Sequence, residues 1–251
     1  MRIAVVGATG VAGAHVVARL RHKGLEPVEI SRSSGVDLVT GEGLPDALDG
    51  VDIVIDASSP TSQDPRVSRF DAVVRAARHL AHAAVEAGAR RLVVLSIANI
   101  EKPEFDAFEY YVAKRDQEDA ARDSGLEVSI VRSAQWFEFA ENSSAVVYAE
   151  DRVTAQDWLI QPVAVGNVAE VLVREALRRT AGDATIAGPE AIRLPELVRR
   201  LLAAQHDARP VVAVAPPLRA FADGALLAGP DTEILGPDVA GWLAGWLAGW
   251  E

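Results

Sequence analysis

Cysteine is absent from the 251-residue sequence, and with it go disulfide frameworks, thiolate zinc sites, iron–sulfur clusters and thiol nucleophiles. Chemistry must then rest on oxygen and nitrogen groups or on a borrowed cofactor. Lysine is nearly as scarce, with only Lys23, Lys102 and Lys114. Positive charge is in deficit as well: 25 Lys and Arg against 36 Asp and Glu give a formal net charge of −11. A surface of that sign repels phosphate backbones and anionic lipid, so neither nucleic acid nor membrane is an expected partner. Long hydrophobic runs are missing too. The longest uncharged apolar stretch near the end, Val239 to Trp250, has 12 residues, against the roughly 20 that cross a bilayer. At the start, only Ile3, Ala4, Val5 and Val6 lie between Arg2 and a glycine-rich turn. That is far short of a signal-peptide core, and a cytoplasmic protein is expected. No Gly-x-Ser-x-Gly elbow occurs, which argues against an α/β-hydrolase.

What is present is an ordinary globular composition, 49% hydrophobic and 24% charged, in a chain long enough to bury a real core as one domain. Short β-branched runs alternate with helical patterns, as in βαβ units around a buried parallel sheet. Strands are predicted at Arg2–Val6, Pro27–Ser31, Asp52–Ala57, Arg91–Ser96 and Val128–Arg132. Helices are predicted at Val11–Lys23, around Leu44–Leu48, and at Arg66–Ala87 and Phe105–Ser124, with Gly24, Gly88 and Gly125 at C-caps. Beyond residue 132 the rhythm loosens. A helix from Gln135 through Val147, helices Val168–Arg179 and Pro195–Gln205, strands Ala184–Ala187 and Pro210–Val214, and then proline- and glycine-punctuated helices are expected. Residues 1–132 read as a nucleotide-type core, and residues 133–251 as further sheet elements and a small cap.

Gly7-Ala8-Thr9-Gly10-Val11-Ala12-Gly13 follows the first strand and opens the first helix. Gly7 allows the tight turn, Gly10 lets backbone amides approach a pyrophosphate, and Gly13 lets the helix lie close to the sheet. The helix N-terminus offers unpaired N–H groups to phosphate, which is how an acidic protein can hold an anionic cofactor. The pattern predicts a doubly wound parallel sheet of the Rossmann type with a small C-terminal cap. At the end of the second strand, where an acid would meet a free ribose 2′-hydroxyl, stand Ser31, Arg32 and Ser33. A guanidinium among hydroxyls suits a 2′-phosphate and favours NADP, hence NADPH over NADH. Asp37 is a candidate for the adenine amino group or a turn-capping acid.

Tyr110 and Lys114, four apart in a predicted helix, share one face. An ammonium beside a phenol stabilises the phenolate and fits the tyrosine for proton transfer. The preceding strand ends in Ser96, on the edge where an open α/β sheet presents its ligands. With these motifs in place, the sequence resembles the short-chain dehydrogenase/reductase (SDR) superfamily. Leu-Ser-Ile at 95–97, Tyr-Tyr-Val-Ala-Lys at 110–114, Val-Arg-Ser-Ala-Gln-Trp-Phe at 131–137 and Gln-Pro-Val-Ala-Val at 161–165 are similar to its atypical, NmrA-like members, roughly over residues 1–210.

The resemblance implies an NADPH-dependent oxidoreductase acting on a small carbonyl, hydroxyl or quinone compound. Tyr110 would exchange the proton, Lys114 would hold the nicotinamide ribose, and Ser96 would bond the reacting oxygen. Ala57 and Ser58 would pass along the cofactor, and Gln135, Trp136 and Phe137 would border the substrate. Tyr111 adjoins Tyr110, and only the spacing assigns the role to the latter. The asparagine that completes the proton relay in many relatives has no counterpart, since the asparagines are Asn99, Asn142 and Asn167. A non-catalytic NADP-sensing regulator and an NAD(P)-dependent epimerase or dehydratase are the rival readings. His79 and His82 have metal-compatible spacing but no third ligand placed with them, so no metal is expected. Finally, Gly241, Gly245 and Gly249 alternate with Trp242, Trp246 and Trp250. On a helix these form two stripes that call for packing on the domain or on a second subunit, and a homo-oligomer through this helix is one expectation.

Overall fold

The structure, a computed structural model, describes residues 1–248; Gly249 and Trp250 of the repeat lie outside the described residues. Its centre is a seven-stranded, all-parallel sheet. The strands β1 (Ile3–Val6), β2 (Val28–Ile30), β3 (Ile53–Asp56), β4 (Arg91–Ile97), β5 (Glu127–Ser133), β9 (Ala184–Ala187) and β12 (Glu233–Ile234) run in the order β12-β9-β5-β4-β3-β1-β2. Successive residues of a strand face opposite sides, and here both sides are apolar. Ile3, Val5, Ile53, Ile55, Val93 and Leu95 pack under helices α1 (Val11–His22) and α5 (Val165–Leu177). Ala4, Val6, Val54, Leu92 and Val94 pack under α3 (Arg69–Glu86) and α4 (Glu109–Arg122), with the short α2 (Leu44–Ala47) alongside. After β1 the chain moves outward to β2, then returns on the other side of β1 to form β3. That reversal leaves a crevice at the C-terminal ends of β1 and β3, where such sheets bind ligands.

The cap contains a three-stranded sheet, β6 (Val146–Tyr148), β7 (Val153–Gln156) and β11 (Val211–Val214), and a β8–β10 ladder (Leu159–Ile160, Ile192–Arg193). With helices α6 (Leu194–Ala204) and α7 (Val239–Leu247) it surrounds a second core that includes Phe105, Tyr111, Phe137, Trp158 and Phe221.

Several elements differ from the expected ones, for local reasons. The helix expected through Val147 is a single 3-10 turn, Phe137–Glu141, followed by β6. Asn142 ends it by accepting the Ser144 N–H on its own side chain at 2.9 Å, a turn-forming bond that competes with helix continuation, and the valines beyond favour a strand. Helix α3 begins at Arg69 rather than Arg66, because Asp64 takes the Arg66 backbone and side chain, while Ser68 caps the Asp71 N–H. Helix α5 begins at Val165, three residues early. Strand β11 joins the cap sheet. The helices expected between β11 and α7 reduce to one 3-10 turn, Arg219–Phe221, and β12. No helix among the described residues is long and apolar enough to cross a membrane.

A candidate dinucleotide and active site

Gly7 makes the turn out of β1 at φ +78°, and a Cβ there would stand 2.8 Å from the Ser58 Cα. The β1 turn and the loop after β3 therefore touch backbone to backbone. A Cβ on Gly13 would stand 2.0 Å from the Gly7 carbonyl oxygen, so the first turn of α1 folds directly onto the loop that precedes it. Gly10 is the N-cap, with no side-chain cap and no acidic residue in the first turn. Helix-start N–H groups with neither partner nor negative charge are what a pyrophosphate requires, and Cβ atoms at Gly7 and Gly13 would fill the cradle. A cleft of about 300 Å³ opens here; its lining includes Gly10, Ser31, Arg32, Asp37, Ser58 and Trp136.

At the end of β2, Ser31 starts a tight turn in which its N–H donates to Ser34 Oγ at 2.9 Å and its hydroxyl bonds that of Ser33 at 2.7 Å. Arg32 is exposed, and its guanidinium enters no ion pair or hydrogen bond among the described residues. Most arginines of this acidic chain are paired, so Arg32 is conspicuous as a free cation at the cleft. Asp37 accepts the N–H groups of Val39 (2.7 Å) and Thr40 (3.3 Å) on Oδ1. It is thus a turn-capping acid and a lining residue at once, with Oδ2 uncommitted.

Tyr110, Lys114 and Gln117 occupy one face of α4. Tyr110 is half-buried at the first turn, with the Arg69 guanidinium 4.7 Å above its ring; Arg69 Nη2 also lies 3.4 Å from Ser59 Oγ in the loop that lines the cleft. Lys114 is buried, and its ammonium donates to the Leu95 carbonyl at 2.8 Å and to Gln117 Oε1. Gln117 Nε2 in turn donates to Asp56 Oδ2 at 2.7 Å, and Asp56 Oδ1 accepts the Ser58 N–H at 3.0 Å. Ser96, at the end of β4, is 3% exposed and its Oγ has no partner among the described residues. A buried hydroxyl in that state has a bond still to make.

Tyr111 faces the other way. It is 3% exposed among Phe105, Phe108 and Phe221, and its hydroxyl accepts from Gln135 Nε2 at 3.3 Å. Burial, together with Tyr110 nearby, pushes its phenol well above the ordinary range, as for a tyrosine packed in a core. Of the three residues expected around the substrate, Trp136 lines the cleft, with its indole N–H donating to Ser133 Oγ at 3.0 Å. Gln135 is buried, and its Oε1 has no partner among the described residues. Phe137 is placed apart from them, 1% exposed and stacked on Trp242 at 4.7 Å. His79 bonds the Leu38 carbonyl and His82 sits beside Glu86. Asp56, Gln117 and Arg69 escaped sequence reasoning: no periodicity marks them, and only the spacing of Gln117 from Lys114, three along a helix, carried a signal.

A glycine cradle at the switch point of a doubly wound sheet, with a free cation at the second strand, defines a dinucleotide-binding Rossmann protein. A family profile described as NAD(P)H-binding matches residues 7–179, and the chain belongs to that family. It is 35% identical over 145 residues to the (4-alkanoyl-5-oxo-2,5-dihydrofuran-3-yl)methyl phosphate reductase of Streptomyces griseus, a match covering 52% of this chain and 46% of the reductase. The chain thus matches about half the length of that relative. Among solved structures it is similar to an SDR-superfamily protein of Agrobacterium tumefaciens with bound NAD (20% identity, 86% of this chain and 85% of the other, TM-score 0.67). It is also similar to an NAD-dependent NDP-hexosamine 5,6-dehydratase of tunicamycin biosynthesis (18%, 99% and 97%, TM-score 0.72). A third is the UDP-glucose 4-epimerase of Thermus thermophilus in complex with NAD (19%, 100% and 94%, TM-score 0.67). The fold is that of the SDR superfamily.

Proposed function

We propose that the protein is an NADPH-dependent oxidoreductase acting on a small carbonyl, hydroxyl or quinone substrate. The observation that carries this reading is the buried Lys114 ammonium one turn from Tyr110, bonded to the carbonyl of Leu95, the residue before Ser96, whose buried hydroxyl has no partner among the described residues. The Thr9, Val11 and Gly13 amides would hold the pyrophosphate, in a turn shaped by the Gly7 and Ala8 N–H bonds to the Ile30 carbonyl and the Gly10 N–H bond to the Gly7 carbonyl. Ser31, Arg32 and Ser33 would take the 2′-phosphate, Asp37 Oδ2 would take the adenine amino group, and Ala57 and Ser58 would flank the adenosine. The nicotinamide, when bound, supplies or accepts the hydride. Tyr110 Oη gives a proton to the substrate oxygen in reduction and takes it back in oxidation. Ser96 Oγ holds that oxygen in place, and the Lys114 charge favours the phenolate that remains. The Streptomyces relative is named for reducing a small oxygen heterocycle, which supports the reductive direction. The cytoplasm, which supplies NADPH, is the setting this reading implies.

The test begins with binding. NADPH is expected to bind at least 10-fold more tightly than NADH, and Arg32→Ala to bring the ratio close to one by removing a charge-assisted phosphate contact. Equal affinities in the wild type would overturn the cofactor assignment. With a panel of small aldehydes, ketones and quinones, Tyr110→Phe is expected to lower turnover by about 100-fold or more, the scale of general acid catalysis, with NADPH affinity nearly unchanged. Undiminished turnover in that variant would remove the mechanism.

A further inference from the structure

An ammonium has three N–H donors, and among the described residues two of those of Lys114 are taken up, by the Leu95 carbonyl and Gln117 Oε1. One is left unspent. Gln117 is 3% exposed, and an amide alone has no preference for which end it shows to its neighbour. Asp56 decides the matter. An ionised carboxylate only accepts, so the bond to Asp56 Oδ2 fixes Nε2 on that side and turns Oε1 to the lysine. The other oxygen of Asp56 holds the Ser58 N–H, and Ser58 is the residue against which Gly7 packs without room for a Cβ. A string of hydrogen bonds thus runs from Ser58, which packs against the glycine turn, to Lys114, with opposite charges separated by one amide. Charges buried without such compensation are not tolerated.

We propose that Gln117 and Asp56 are positioning residues: they hold the Lys114 ammonium with one N–H free for the cofactor ribose, and tie that placement to the dinucleotide turn. This rests on the reading of Lys114 given above.

The scarcity of lysine makes the test direct. In the ¹⁵N-labelled full chain only three side-chain ammonium signals can arise, and Lys114→Met identifies the one from Lys114. Burial and two acceptors slow its proton exchange, so the signal is expected to be visible at pH 7. Gln117→Leu is expected to broaden it beyond detection, with the backbone amide spectrum retained, and to weaken NADPH binding about 10-fold, read from tryptophan fluorescence. Asp56→Asn, which conserves volume and lets the amide turn over, is expected to broaden the signal as well, and carries the test if Gln117→Leu does not fold. The exchanged pair, Asp56→Asn with Gln117→Glu, restores an acceptor to the lysine and a donor to its partner, and is expected to bring the signal back. A Lys114 signal unchanged in the folded single variants would overturn the proposal. Failure of the functional reading looks different: a wild-type signal that NADPH does not shift, yet Gln117→Leu abolishes, supports the positioning role and removes Lys114 as the ribose ligand.

Discussion

Residue by residue, the site is governed by how little room it leaves. A Cβ on Gly13 would lie 2.0 Å from the Gly7 carbonyl oxygen, whereas one on Gly10 would lie 3.2 Å from it. Gly13→Ala must therefore displace backbone, and is expected to cost about 1–3 kcal/mol of stability and to abolish measurable NADPH binding. Gly10→Ala should be milder on both counts, in paired thermal melts and titrations. These glycines were legible because spacing, strand and helix agree on them. The choice between Tyr110 and Tyr111 was not, because adjacent residues of one type differ only in which face of α4 they occupy. The structure separates them by burial, and this has a consequence in alkali. In the unfolded chain Tyr111 begins to ionise near its ordinary value of 10.0, while in the fold its pKa is raised. Above that pH the unfolded state binds fewer protons than the native state, so stability falls as pH rises. Tyr111→Phe should remove part of this slope between pH 9 and 11.5 in denaturant titrations, and leave turnover at pH 7 unaltered. A turnover loss like that of Tyr110→Phe would reverse the two roles.

Helix α4 carries the residues to which the proposed chemistry is assigned. One face carries Tyr110, Lys114 and Gln117, and a neighbouring position carries Glu118, 6% exposed, whose carboxylate forks with the Arg132 guanidinium from β5. Arg132 also lies 3.6 Å from Asp183, which accepts the Ile130 N–H and thereby stitches β9 to β5. Removing one member of a buried pair strands the other. Arg132→Met is accordingly expected to destabilise by about 3 kcal/mol, and Arg132→Met with Glu118→Gln to recover much of that loss. Urea unfolding of the four proteins in the cycle measures the coupling; strict additivity of the single effects would show that the pair does not act as one. At this scale the sequence was readable wherever both faces of a strand were apolar and each helix had a single stripe, as in β1 through β5. It was less readable past residue 132. There, short strands pair within a small cap, and Asn142 breaks a pattern that periodicity alone extends as a helix.

For the molecule as a whole, the sheet has a core on each face, the one under α1 and α5 supporting the glycine cradle, and a separate aromatic-rich core sits beneath the cap. The acidic surface need not exclude a phosphate-bearing ligand, because helix-start amides and Arg32, unpaired among the described residues, make the potential at the cleft locally positive whatever the net charge. The Gly-Trp repeat takes its place in this division. Trp242, Leu243 and Trp246 pack against the cap core, Trp242 stacks on Phe137 at 4.7 Å, and Gly241 and Ala244 face outward. Helix α7 is thus packed on its own domain, and its outward face is where a second subunit would meet it. Truncation after Ala240 removes two aromatic contacts from the cap core. Burial losses of about 3–5 kcal/mol, at roughly 2–4 °C per kcal/mol for a chain of this size, predict a melting temperature lower by about 10 °C. NADPH affinity, which depends on the core under α1 and α5, should stay within a few-fold. The same sample, measured by light scattering, separates the two expectations for the helix. A lowered melting temperature at unchanged mass shows that α7 serves its own domain alone, a fall to the monomer mass shows that it also joins subunits, and an unchanged melting temperature would mean that the aromatic stack contributes nothing to the fold.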